Sequence, residues 1–263
     1  MIGHSTAMTY SENTEFTAVA PYYDELMTGV PYDDWVRYIE RLLAGRHASP
    51  RQVLDLACGT GNVSEIMAER SYHVVGVDIA ADMIKQAKRK AERKLMNIEY
   101  HVQDAVTLDL PATSFDLCIS LFDSLNYITN PSDLAKAIQR VYAHLRPGGL
   151  FIFDVNAEYA LKNGFFDQSN DYSAERLRYV WRSEYDAATR ICTVAMRFFL
   201  RGKDGVDKEF RETHVQFAYT EAELRSMLSD AGFIAVDTYH AYTMKPVRKT
   251  TDRIYFVAEK PVI

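Results

Sequence analysis

"VLDLACGTGN", Val53 to Asn62, sets an apolar run with one acid inside it directly before two glycines separated by a single threonine. Unbroken apolar residues read as a strand covered on both faces, and glycines so soon after such a strand mark backbone that must come close to something. Outward from this stretch, "VLDLA" is followed by helix-like "NVSEIMAERS", "HVVGVDI" by "AADMIKQAKRKAERKL", and "IEYHVQDA" by a further strand and helix, "FDLCISLF" and "PSDLAKAIQRVYAHL". That alternation predicts an α/β fold with a doubly wound, Rossmann-like sheet and helices on both faces. Right-handed crossovers bring the C-terminal ends of the strands to one edge, where a ligand belongs.

"LRPGGLFIFDVN" (Leu145 to Asn156) supplies a helix stop, a tight turn and another buried strand. The pattern then changes. From about Tyr172 to Tyr219 the runs "RYVWRSEYD", "RICTVAMRFFLRG" and "EFRETHVQFAY" alternate between turn-rich pieces, predicting an inserted antiparallel β-sheet. Helix returns in "TEAELRSMLSDAG", with Thr220 as N-cap and Gly232 as stop, before the strands "FIAVDTYHAY" and "RIYFVAEK". The expected organisation is an N-terminal helical segment over the site (1–50), a main domain from 51–160 and 220–263, and an inserted subdomain (161–219).

The chain has 263 residues, 48% hydrophobic and 25% charged, the composition of an ordinary globular protein with a full core. No apolar stretch approaches the roughly 20 residues of a membrane helix, and "MIGHSTAMTYSENTEF" lacks the order of a signal peptide, so a cytoplasmic protein without membrane contact is expected. Cys58, Cys118 and Cys192 form no CxxC pair, which suggests neither a disulfide framework nor a metal site. A net charge of −6 argues against nucleic acid as partner, and the basic run from Lys85 to Lys94 reads as a solvated helix face.

Two readings compete for the glycines. A dinucleotide site would use G-x-G-x-x-G to seat a pyrophosphate for an NAD(P)-dependent oxidoreductase, but Ser64 stands at the third position. The acids point elsewhere: Asp55 lies within the first strand, Asp78 ends the second and Asp104 follows the third. "DLACGTG" resembles motif I of the class I S-adenosylmethionine-dependent methyltransferases, and "GVDIAADMI", "QDA", "FDLCISLFDSLNYI" and "LRPGGLFIFDV" resemble that family's later motifs in order.

The resemblance implies a seven-stranded methyltransferase sheet, S-adenosylmethionine as cofactor, and methyl transfer by in-line displacement to an N or O atom of a small-molecule acceptor. Gly59 and Gly61 would let main chain approach the methionyl part and ribose, and the next helix N-terminus would face the carboxylate. Asp78 would accept the ribose hydroxyls. Ile79 and Met83 would pack on adenine, with Asp104 and Ala105 at its amino edge; Asp55 would fix the loop or meet the ligand ammonium through water. Tyr22, Ala57 and Leu121 complete the implied cofactor set.

The acceptor side is less explicit. "SLFDSLNYI" follows the fourth strand where the family faces its substrate, and lacks the Asp/Asn-Pro-Pro-Tyr tetrapeptide of enzymes that methylate bases or glutamine. Asp123, Asn126 and Tyr127 there would bind or deprotonate a small polar acceptor, unless Asp123 or Ser124 caps a helix. Asp123, and Tyr23 in the covering segment "VAPYYDELM", are the candidate catalytic groups, although positioning alone can suffice for an amine. An inserted sheet also occurs in aminosugar N-methyltransferases, which the chain resembles; here it would shape the acceptor pocket or a homodimer contact. Its replacement by a short turn is expected to spare cofactor binding. His214, His240 and Tyr242 read first as structural residues. A tRNA-modifying enzyme and a non-catalytic cofactor-binding module are the remaining alternatives.

Overall fold

The computed structural model describes residues 15–111, 114–171 and 175–262. The start of the expected N-terminal segment (1–14) and Tyr172 at the expected start of the insertion lie outside these residues. In chain order the elements are α1 (Tyr23–Leu26), α2 (Tyr32–Gly45), β1 (Gln52–Leu56), α3 (Asn62–Glu69), β2 (His73–Asp78), α4 (Ala81–Lys94), β3 (Glu99–Val102), β4 (Phe115–Ser120), α5 (Pro131–His144) and β5 (Leu145–Asn156). There follow α6 (Glu158–Lys162), β6 (Gln168–Ser169), β7 (Leu177–Asp186), β8 (Ile191–Arg201), β9 (Asp207–Phe217), α7 (Glu221–Ala231), β10 (Ile234–His240) and β11 (Arg253–Glu259).

The main sheet has seven strands in the order β10-β11-β5-β4-β1-β2-β3. β3, β2, β1, β4 and β5 run parallel, while β11 is antiparallel to both β5 and β10. The order reverses beside β1, which makes its C-terminal end the crevice of the sheet. Unbroken apolar strands are covered on both faces: α2 and α3 supply Val36, Ile39, Leu42, Val63 and Met67 to one layer, α5 and α7 supply Leu134, Ile138, Val141, Leu224 and Leu228 to the other.

The signals at the ends of α7 act as expected. Thr220 and Glu223 form a reciprocal capping box, and Gly232 closes the helix at φ +102°. The turn expected at Pro147 to Gly149 is instead an irregularity within β5: Phe115 pairs with Leu145 but Leu117 with Leu150, so extra residues bulge out with Gly148 at φ +75°.

The second sheet, order β6-β7-β8-β9, is antiparallel throughout. Along β8, Cys192, Val194, Met196, Phe198 and Leu200 turn inward and are buried while Ala195, Arg197 and Arg201 face out. That inward face shares a core with Val19 and Ala20 of the N-terminal strap and with Met83 of α4. No helix among the described residues is long and apolar enough to cross a membrane.

Candidate functional site

The opening stretch folds as a strand followed by a tight, left-handed turn. Ala57, Gly59 and Gly61 have φ of +60°, +56° and +80°, and the Gly61 N–H donates to the Cys58 carbonyl at 2.9 Å as α3 begins. A Cβ built on Gly59 meets nothing within 4 Å, whereas one on Gly61 would overlap the Tyr100 hydroxyl. Gly59 thus leaves main chain open to the cavity, and Gly61 makes room for a core tyrosine.

Two carboxylates converge under this turn. Asp78, at the end of β2, accepts the Gly59 N–H on one oxygen and the Ala80 N–H on the other, each at 2.8 Å. Those bonds hold the turn and still leave lone pairs on both oxygens. Burial raises the Asp78 carboxyl above its usual value, against the lowering pull of the backbone N–H groups. Asp55 is 2% exposed and accepts the Ser64 hydroxyl at 2.5 Å. Burial pushes its carboxyl up to about 7, with Asp78 adding repulsion. Ser64, at the third fingerprint position, is therefore the partner that a buried aspartate needs.

The turn opens into a cavity of about 1050 Å³ at the C-terminal edge of the parallel strands. Of the residues expected at the cofactor, Asp55, Ala57, Gly59, Asp78, Ile79, Met83 and Leu121 line it, as do the candidate catalytic Tyr23 and Asp123. Ile79 is 67% exposed, an apolar side chain at the rim. Gly61, Asp104, Ala105 and Tyr22 are outside the lining. Asp104 caps a short 3-10 turn by accepting the Val106 N–H at 2.8 Å. The ring of Tyr22 stacks on Phe210 of β9, its centroid 5.7 Å away, and so docks the strap on the second sheet.

Asp123 has other commitments. Phe122 and Asp123 follow β4 in consecutive left-handed conformations, φ +64° and +52°. Asp154 of β5 accepts both their N–H groups, at 2.7 and 3.0 Å, and so holds the strained turn. Arg253 of β11 lies between the two acids, 2.6 Å from Asp123 and also bonded to Asp154, while Gln216 donates to the second Asp123 oxygen at 2.6 Å. Burial raises the Asp123 carboxyl above its usual value, against the lowering pull of Arg253 and Gln216. With both oxygens already engaged by these partners, Asp123 has a structural commitment that a substrate proton would have to displace. Burial holds the Tyr23 phenol well above its usual value, so it faces the cavity neutral, as a hydrogen-bond donor.

Two groupings were not legible in the sequence, although Tyr127 stood among the residues expected to face the acceptor. The first is Tyr127, His214 and Glu212: the Tyr127 hydroxyl lies 2.9 Å from His214 Nδ1, and His214 Nε2 lies 2.8 Å from Glu212 Oε2. Tyr127 and His214 line the cavity, and His214 is 2% exposed. Glu212, His214 and Gln216 occupy alternate inward positions of β9, so the buried polar face was visible as "ETHVQ" once the strand was drawn. The second is Asp24 of α1, which accepts from Thr60 at 2.6 Å and Asn62 at 3.1 Å and pairs with Lys90 at 3.0 Å. Lys90 belongs to the basic run expected to face solvent, yet its side chain is only 11% exposed.

The family model for a methyltransferase domain matches residues 53–149. A protein of Geobacillus sp. (strain WCH70) named as a methyltransferase is 32% identical over 248 residues, covering 93% of this chain and 99% of its own. Among solved structures, an S-adenosylmethionine-dependent methyltransferase from Clostridium acetobutylicum ATCC 824 is similar with a TM-score of 0.82 and 29% identity, over 93% of this chain and 98% of that one. A sugar N-methyltransferase from Streptoalloteichus sp. ATCC 53650, 20% identical, has the same fold with a TM-score of 0.78 over 99% of each chain. The turn, the strand order and these likenesses agree: the chain belongs to the class I S-adenosylmethionine-dependent methyltransferases.

Proposed function

We propose that this enzyme transfers the methyl group to an N or O atom of a small molecule held in the 1050 Å³ cavity. The observation that carries this is the cavity itself, which is enclosed by the strap and second sheet and is at the upper end of pocket sizes for one small ligand. It has room for cofactor and acceptor side by side. The residues fit the cofactor: Gly59 leaves backbone uncovered, Asp78 keeps free lone pairs for a ribose diol, and exposed Ile79 offers a flat apolar rim to adenine. Asp55, Ala57, Met83 and Leu121 would complete the pocket, and Asp55 would face the ligand ammonium. When bound, S-adenosylmethionine supplies an electrophilic methyl group on a sulfonium.

The protein's part is alignment and exclusion of water, with the strap closing the front of the site. The fold shared with a sugar N-methyltransferase supports a metabolite-sized acceptor. Thermal melts test the reading: S-adenosylmethionine and S-adenosylhomocysteine should each raise Tm, because they bind only the folded state. Asp78→Ala should remove that rise and weaken binding at least tenfold, about 1.4 kcal/mol, by calorimetry. Unchanged affinity in a folded variant would take Asp78 out of the site.

A further inference from the structure

We propose that the acceptor is a planar, largely apolar molecule carrying an aromatic hydroxyl, seated on the inward face of the second sheet, and that Tyr127, His214 and Glu212 receive its proton. This deepens the methyltransferase reading above and rests on it. One part of the cavity lining is built from Tyr179 and Trp181 of β7, Met196 and Phe198 of β8, and Phe165 and Phe166 before β6. The four strand residues are cross-strand neighbours, Trp181 paired with Met196 and Tyr179 with Phe198, and so form one continuous surface, against which Phe166 packs. A polyol laid on these aromatic faces would lose water from the hydroxyls turned toward them without gaining partners there, at a cost for every unpaired group. A flat ring gains instead by stacking and by burial of apolar surface.

Among the polar groups lining the cavity, which also include Glu15, Asn156, Gln168 and Thr213, Tyr127 and His214 stand in line with the buried Glu212 behind them. His214 Nε2–H donates to the Glu212 carboxylate, which leaves Nδ1 as an acceptor for the Tyr127 hydroxyl. Glu212 is itself fixed by the Val19 N–H at 2.9 Å and the Phe16 N–H at 3.2 Å, so the chain is complete only with the strap in place. The other ionisable groups around it are Glu15 on the strap, which accepts the Val215 N–H, and Tyr23 and Asp123 beyond Tyr127, the latter paired with Arg253. Phe16 packs its ring 4.5 Å from the imidazole and excludes water from that side.

In the step, the acceptor O–H bond breaks and its proton passes to the Tyr127 oxygen as the Tyr127 proton passes to His214 Nδ1. The acceptor oxygen forms its bond to the methyl carbon, and the electron pair of the broken S–C bond returns to sulfur. The imidazolium so formed is neutralised by Glu212 and gives up its proton to solvent when the site opens.

The test uses the full chain saturated with S-adenosylhomocysteine and 4-nitrophenol as probe, with methyl glucosaminide as the polyol amine for comparison. Calorimetry should show 4-nitrophenol binding at least tenfold more tightly than the glucosaminide, and Trp181→Ala should weaken the probe tenfold while S-adenosylhomocysteine affinity stays within twofold. The yellow of the nitrophenolate then reports the proton. An apolar cavity alone raises a phenol's pKa, whereas the relay lowers it. In the wild type the bound probe should therefore ionise at lower pH than in free solution, and in Tyr127→Phe at higher pH, at least a tenfold change in ionisation constant. His214→Asn should behave as Tyr127→Phe does. Tighter binding of the glucosaminide, or no binding of 4-nitrophenol to protein that has bound S-adenosylhomocysteine, would overturn the acceptor class. A bound probe that ionises alike in wild type and both variants would overturn the relay. Failure of S-adenosylhomocysteine itself to bind would strike the cofactor reading instead.

Discussion

Gly59 and Gly61 are two residues apart and are glycine for different reasons. Both have positive φ, which costs a side chain roughly 1–2 kcal/mol. Only at Gly61 does a Cβ also collide, with a buried tyrosine. Gly61→Ala should therefore lower Tm markedly, with a loss of about 3 kcal/mol or more in urea melts, since overpacking adds to the backbone strain. Gly59→Ala should cost little beyond the backbone term but weaken S-adenosylhomocysteine at least tenfold, because the methyl group would fill ligand space. Asp55 gives a second prediction at this scale. An ordinary carboxyl titrates near about 3.9 when unfolded, and burial pushes this one up to about 7. The folded state holds the proton more tightly across that window, so the contribution of Asp55 to stability is full below about pH 4 and is lost as pH rises through about 7. At about 1.4 kcal/mol per unit the swing is a few kcal/mol. Asp55→Asn should flatten the fall in stability between about pH 4 and about pH 7, measured by urea melts of the ligand-free protein.

At the scale of elements, the site is closed by one short helix tied to two others. Asp24 on α1 ends against Thr60 and Asn62 at the start of α3 and against Lys90 from α4, so the strap is latched directly over the glycine turn. Asp24 is too exposed for its charge to count for much in global stability. Asp24→Ala should accordingly leave Tm within a few degrees, speed release of S-adenosylhomocysteine several-fold by stopped-flow, and quicken proteolytic cleavage of the strap. On the opposite side Arg253 performs a rigid version of the same joining. It ties the strained Phe122 and Asp123 turn to β5 and β11 with two buried carboxylates, a pairing in which loss of one partner leaves uncompensated charge.

For the whole molecule, the second sheet is more than an appendage to the first. Its inward face shares a core with the strap residues Val19 and Ala20 and with Met83, which stands under the expected adenine position. Replacing 165–217 with a short turn should expose that core and release the strap. Cofactor affinity by calorimetry should then fall at least tenfold, against the simpler expectation that cofactor and acceptor sites are separable. A variant retaining full affinity would show that the seven-stranded sheet and its helices hold the cofactor unaided.

The sequence by itself determined the strand and helix alternation, the glycine turn at the end of β1, the acids beneath it and the inserted antiparallel strands, because these depend on local periodicity and on conformations that few residues tolerate. It also carried the family, through ordered motifs. The tertiary structure decided what each polar residue is for. Asp123 stands where a binding residue would, and only a contact distant in sequence made it an ion-pair partner of Arg253, whereas Asp104 caps its own turn through the nearby Val106 N–H. His214 looked structural until Tyr127 and Glu212 were seen on either side of it. Lys90 read as solvated until Asp24 reached it from far along the chain. Periodicity fixes which face of an element is buried, but the partners of a buried polar group come from whichever elements pack against that face, and their identity is a property of the assembled fold.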